Sequence, residues 1–135
     1  AMNFTTVHID AVEQGKVTVT VPGGAKAVLP FDVPAGDVGK DVELGVRPEH
    51  LSPGEQGDLS ISGEVDVVEK LGDSTYLCLK LANGDRFTVR APGHSRIKIG
   101  ETVSAAAEAG DSHLFDANGK AYDKLQCPAE YSADE

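Results

Sequence analysis

Three short segments of this 135-residue chain carry side chains whose type and spacing suit recognition chemistry. The first is Gly45-Val46-Arg47-Pro48-Glu49-His50-Leu51. Arg47 offers a planar, permanently charged fork suited to bidentate partners. Pro48 fixes its own φ and biases Arg47 towards extended backbone. On extended backbone Arg47 and Glu49, two apart, lean to the same side. They form either a surface ion pair of little energy or a charged pair that fixes local geometry through charge-assisted hydrogen bonds. The second segment is Gly72-Asp73-Ser74-Thr75-Tyr76, a glycine turn followed by hydroxyls. Such a turn can aim N–H and O–H donors at an anion. Asp73 has the wrong sign for that and Lys70 is the only cation near it in sequence, so a structural turn is the favoured reading. The third is His113-Leu114-Phe115-Asp116. His113 and Asp116 are two metal-ligand types, too few for a site. Leu114 and Phe115 are expected to anchor one end of the core, where burying an aromatic ring contributes strongly.

Catalytic constellations are missing. A phosphate-cradling loop needs G-x-x-x-x-G-K-[ST]. The nearest approach is Pro34-Ala35-Gly36-Asp37-Val38-Gly39-Lys40-Asp41, with Pro34 at the first glycine and Asp41 in place of the Mg-binding hydroxyl. Ser74 and Thr75 lack a nucleophile elbow, and His8, His50, His94 and His113 are scattered. Carboxylate pairs such as Glu64/Asp66 and Glu108/Asp111 read as a solvated face in so acidic a chain, since a glycosidase needs its pair set across a cleft. No catalytic residue, cofactor site or metal site is expected within these residues.

The elements that must hold the three segments are strands. Lys16-Val17-Thr18-Val19-Thr20-Val21 alternates strictly, with the valines on one face. Gly23-Gly24 reads as a turn and Ala25 to Phe31 as another strand, with Pro30 and Pro34 bounding the next loop. Val42 to Arg47 is a third strand, and Pro53-Gly54-Glu55-Gln56-Gly57 a surface loop. Leu59 to Lys70 is a long strand with Ile61, Val65 and Val67 in phase, and Gly63 suggests a bulge or bend in it. Ser74 to Leu81 and Asp85 to Ala91 flank Asn83-Gly84, a strong hairpin signal. Thr102 to Glu108 is read as strand despite its alanine run, which favours helix by propensity. His113 to Asp116 precedes a second Asn-Gly turn at Asn118-Gly119, and the acidic stretch from Cys127 to Glu135 is expected to fray.

Composition sets outer bounds. The chain is 40% hydrophobic and 25% charged, enough for one domain with a packed core. Cys78 and Cys127 have no metal-ligand spacing, and Cys78 reads as a small buried hydrophobe. A net charge of −10 speaks against a sequence-independent nucleic-acid partner, as does an aromatic content of 5%. It also disfavours docking on anionic lipid, and no apolar stretch approaches transmembrane length. Many short strands with Gly and Pro turns point to a small all-β barrel or sandwich.

In order and spacing, Gly45 to Leu51, Gly63 to Tyr76 and His113 to Asp116 together resemble one family, the C-terminal regulatory domain of ATP-binding subunits of sugar-type ABC importers. Ala1-Met2-Asn3-Phe4 is similar to the junction where that family's ATPase domain ends. The resemblance implies OB-type β-barrels with interleaved segments, forming one regulatory domain over residues 1–135. It implies Gly45, Arg47, Pro48, Glu49, Gly72, Ser74, Thr75, Tyr76, His113, Leu114, Phe115 and Asp116 as motif or structural residues rather than catalytic ones. It further implies a homodimer, an attached ATPase domain that would bind ATP and Mg, membrane subunits, a regulatory protein as a further partner, and a cytoplasmic place at the inner face of the membrane. Two other readings stand beside it: a small-ligand sensor taking an oxyanion or a sugar near Gly72 to Tyr76, and a free-standing adaptor.

Overall fold

A computed structural model describes residues 1–124 of the chain, so the expected fraying from Cys127 onward lies outside the described residues. The chain is all-β. Its strands are β1 (Asn3–Glu13), β2 (Lys16–Thr20), β3 (Lys26–Leu29), β4 (Phe31–Asp32), β5 (Asp41–Val46), β6 (Ser52–Pro53), β7 (Leu59–Lys70), β8 (Ser74–Leu81), β9 (Arg86–Pro92), β10 (Thr102–Ala107), β11 (Ser112–Phe115) and β12 (Asp123–Lys124). They form two antiparallel five-stranded sheets, ordered β11-β5-β1-β2-β3 and β6-β10-β7-β8-β9, and a short β12-β4 pair.

The order shows how the chain interleaves. After β5 it leaves the first sheet through a 3-10 turn, Pro48–His50, and builds the whole second sheet. A second 3-10 turn, Ala109–Asp111, returns it as β11, which pairs with β5 and sets Leu114 opposite Leu44. A bridge from Phe115 to Ala121 and the β12-β4 pairing then link β11 to β4, on the far side of the first sheet. The first sheet is therefore completed only after the second exists.

Period-two patterning explains the core. Val17, Val19 and Val21 are buried, as are Leu77, Leu79 and Leu81 of β8 and Phe87 and Val89 of β9. Phe31 and Phe87 are the largest side chains fully removed from water, and with the buried leucines they supply the main stabilisation, ~1.5–3 kcal/mol per side chain. The alanine run Ala105 to Ala107 is strand, because its pairing with Ile61, Ser60 and Leu59 of β7 outweighs helix propensity.

Several expectations change on contact with the structure. Val67 is 46% exposed rather than in phase with Ile61 and Val65, because a bulge between Val65 and Val67 advances the strand by one residue. Gly63 does not make that bulge. It pairs in register with Leu81 and Val103, and an added Cβ would lie 2.8 Å from the Lys80 carbonyl oxygen and 2.9 Å from Leu79 Cβ. Its lack of a side chain permits close strand approach. The stretch from Ala25 to Phe31 is broken at Pro30 into β3 and β4, and the 53–57 loop begins with Pro53 still paired in β6. Cys78 is half-buried on the outer face of β8, and burial with the nearby Asp66 carboxylate holds its thiol above its usual pKa. The long first strand, β1, is absent from the expected set.

Candidate functional site

The Arg47 segment departs from its expected shape. Arg47 keeps extended backbone, with φ −77° and ψ 146°, but Pro48–His50 turns as a 3-10 helix directly after it. Pro48 occupies the first helical position, where its fixed φ and missing N–H are tolerated. Arg47 and Glu49 therefore do not lie two apart on one strand. Both are exposed, and among the described residues neither makes an ion pair or side-chain hydrogen bond. Gly45 is buried beneath an aromatic cap on the outer face of the first sheet. A Cβ there would stand 2.5 Å from Met2 Sδ, 3.0 Å from Phe4 Cε1 and 3.3 Å from Phe115 Cε2.

His113 pairs with Gly45 across β11 and β5, which brings the first and third segments together. Burial, and then the positive charges of Lys124 and Arg47, hold its imidazole below the usual histidine range. Leu114 is fully buried, while Phe115 is only half-buried and packs edge-to-face on Phe4 at 5.8 Å between ring centroids. Its ring covers the sheet's outer face instead of entering the core. Asp116 accepts the Asn118 and Lys120 backbone N–H groups at 2.9 Å each, so it caps the Asn118-Gly119 turn.

The second segment meets the first across a groove of about 300 Å³. Glu49, Leu51 and Ser52 line one wall, and Asp73, Ser74 and the end of β9 line the other. Gly72 takes φ 83°, a left-handed conformation suited to glycine, and it turns the chain from β7 into β8. Ser74 Oγ accepts Arg90 Nε–H at 3.2 Å. Tyr76 is half-buried and sits opposite Arg90 in the ladder. Thr75 points into the core, where its hydroxyl has no hydrogen-bond partner among the described residues. The groove thus carries two carboxylates and one guanidinium, the last already engaged by a hydroxyl. The segment 34–41 is no phosphate cradle either. Its Lys40 Nζ lies 3.0 Å from Asp37 Oδ1, and Asp37 Oδ2 accepts the Tyr122 hydroxyl at 2.7 Å. These contacts hold the Asp37 carboxyl below its usual range, Tyr122 contributing more than Lys40. Bound that way, the segment does not fit a nucleotide and its Mg ion.

Two residues of consequence escaped sequence reading. Arg90 was accessible to it, since the Asn83-Gly84 turn fixes a register that sets Arg90 opposite Tyr76 and Pro92 opposite Ser74. Asn3 was not. Its side-chain amide donates to the Thr88 carbonyl at 2.8 Å and accepts the Thr88 N–H at 2.8 Å, filling the edge of β9 from 85 residues away. Thr5 extends the join, its hydroxyl donating to Asp85 at 2.7 Å and accepting from Asn83 at 3.0 Å.

Comparison with known proteins accords with this geometry. Residues 44–115 match the TOBE domain, more than half of the chain. The chain belongs to the TOBE domain family. Residues 1–51 match the MalK OB fold domain, and the two matches meet at the Arg47 segment. Among its relatives, this TOBE-family chain is 41% identical over 125 residues to the maltose/maltodextrin import ATP-binding protein MalK of Aliivibrio fischeri, covering 92% of this chain and 34% of that protein. It is 35% identical over 123 residues to the alpha-glucoside transport ATP-binding protein AglK of Rhizobium meliloti, covering 90% and 34%. The chain therefore spans about a third of the length of the curated relatives it matches. The cytoplasmic molybdate-binding protein ModG shares the fold, with a TM-score of 0.68 at 18% identity over 83% of this chain and 94% of that one. The resemblance read from the three segments holds, and so does the OB-type all-β fold.

Proposed function

We propose that this chain is the non-catalytic regulatory and dimerisation domain of an ATP-binding subunit that energises import of a sugar or related small solute. The observation that carries the reading is one of proportion. Sugar-import ATP-binding proteins align over nine-tenths of this chain, yet the chain spans only a third of them and holds no phosphate loop. The part in common is the barrel part. ATP and Mg would be bound by an attached ATPase domain, and the membrane subunits would be met through that larger protein. Two copies of the barrel domain would touch through a self-complementary contact. A lasting contact of that kind keeps two ATPase halves at high effective concentration while they open and close. The same domain would offer a surface to a regulatory protein. No helix among the described residues is long and apolar enough to cross a membrane, and the reading places the domain in the cytoplasm, at the inner face of the membrane through its transporter.

Sedimentation of the purified chain across a concentration series tests the dimer. A monomer–dimer equilibrium is expected, and a monomer at every concentration up to millimolar would count against it. The sensor reading draws on the shared fold with a molybdate-binding protein. Glu49 and Asp73 in the groove repel an oxyanion. Molybdate and phosphate are therefore each expected to leave the melting temperature unchanged, whereas saturable stabilisation by either of them would favour the sensor.

A further inference from the structure

The edge of β9 has a regular supply of backbone groups that its own sheet does not use. In the β8-β9 ladder the odd-numbered residues of β9 face β8, and the Gly93 N–H donates to the Asp73 carbonyl at 3.0 Å in the same phase. The even-numbered residues therefore direct N–H and C=O away from β8. Thr88 is one of them, and the Asn3 side chain satisfies both its groups at 2.8 Å. One primary amide thus acts as a single residue of an added strand. The next even position is Arg90. Its N–H and C=O have no hydrogen-bond partner among the described residues, and Arg90 lines the groove of about 300 Å³ between β9 and the Leu51-Ser52 corner. That volume is at the small end of the range for ligand sites, ~300–1,000 Å³. Pro92, the following even position, also lines the groove, but it has no N–H and its carbonyl accepts the Ser95 N–H at 3.0 Å, so Arg90 alone supplies the free pair.

We propose that this groove is a strand-edge docking slot for a short extended segment of a partner protein that carries a basic side chain. The occupant would pair its backbone with the Arg90 N–H and C=O, as Asn3 pairs with Thr88, in the manner of peptides that add to an exposed sheet edge. Charge selects the side chain. Glu49 and Asp73 flank the slot with carboxylates, while the one guanidinium present is drawn aside to Ser74 Oγ. A net charge of −10 steers a cationic segment towards the chain as a whole. The Arg47–His50 turn acquires a role in this arrangement, since it carries Glu49 to one wall of the slot. The proposal is independent of the importer reading, for it needs only the edge and its charges.

The test is an amide-detected NMR titration of the chain with an acetylated, amidated pentapeptide of sequence TVKVT, beside its acidic counterpart TVEVT. The basic peptide is expected to shift the Arg90 amide downfield, with smaller shifts at Leu51, Ser52 and Asp73 and none at Thr88. The acidic peptide is expected to bind about tenfold more weakly. Arg90→Pro removes the one N–H the slot depends on, and an edge position whose N–H points away from the ladder tolerates proline. It should abolish the shifts while the rest of the spectrum stays folded, whereas Arg90→Ala, which keeps the N–H, should still bind. Glu49→Gln with Asp73→Asn should erase the preference for the basic peptide. No shift at Arg90 at millimolar peptide would overturn the proposal, as would equal binding of both peptides or undiminished binding by a folded Arg90→Pro chain.

Discussion

Replacing Asn3 by alanine isolates the contact that joins the start of the chain to the second sheet. The side chain is 8% exposed and makes two hydrogen bonds of 2.8 Å to the Thr88 backbone. Each such bond contributes about 1 kcal/mol net, and leaving a partly buried donor or acceptor unpaired costs about 1–3 kcal/mol. Water can reach the half-buried Thr88 once the amide is gone, so the lower end applies to its two groups. The expected loss is about 2–4 kcal/mol, a large part of a total of about 5–15 for a domain. Urea unfolding followed by circular dichroism reads it as a lower midpoint at unchanged slope. Hydrogen exchange gives the site-specific reading, with the Thr88 amide losing protection while Val89, bonded within the β8-β9 ladder, keeps it. Asn3→Asp retains the acceptor but sets a carboxylate against the Thr88 carbonyl, and should be no more stable than the alanine variant at neutral pH. A loss below about 0.5 kcal/mol, or an unchanged Thr88 amide, would refute the idea that one side chain stands in for a strand residue.

Gly93→Ala should be the most damaging single-methyl addition, because its Cβ would collide with the Gly72 carbonyl oxygen and lie 2.9 Å from the Asp73 carbonyl carbon, backbone atoms with little freedom to move. A cost of about 1–3 kcal/mol is expected, and a neutral result in thermal unfolding would contradict it. Tyr122→Phe removes the hydroxyl that does most to hold the Asp37 carboxyl below its ordinary value of 3.8. A carboxyl with a depressed folded pKa gives stability that is present above the unfolded value and lost as pH falls through the folded one. The variant should therefore lose less stability than the parent between pH 5 and the acid limit, and parallel urea midpoint curves would refute the role given to Tyr122. In a Cys127→Ser chain, the Cys78 thiol should react with a disulfide reagent along a pH curve displaced above the ordinary thiol value of 9.0, since burial and then Asp66 both disfavour its thiolate. Rapid reaction at neutral pH would contradict that.

How far the sequence could be read follows from where each signal sits. Lys16 to Val21 and the Asn83-Gly84 hairpin were legible because pattern and turn are local, and they carry the register that places Arg90 opposite Tyr76. β1 was not legible, since two of its inward positions, Asn3 and Thr5, are polar and find partners only near residues 83–88. Val67 misled because the period of two is broken at the bulge before it, and nothing in its immediate neighbours marks the shift. The groove joins Glu49 to Ser74 across a corner no local rule describes, although each had been singled out on its own. The sequence around Pro48 predicts an extended run, whereas the proline begins a 3-10 turn.

We propose that this barrel domain works as part of a larger importer ATPase. The most direct test is the mass of the native polypeptide in its source cells, detected with an antibody raised against this chain. The account expects a polypeptide about three times heavier than 14.1 kDa, in proportion to the relatives' length, that binds ATP and is recovered with membranes. A soluble polypeptide of about 14.1 kDa without affinity for ATP would contradict it.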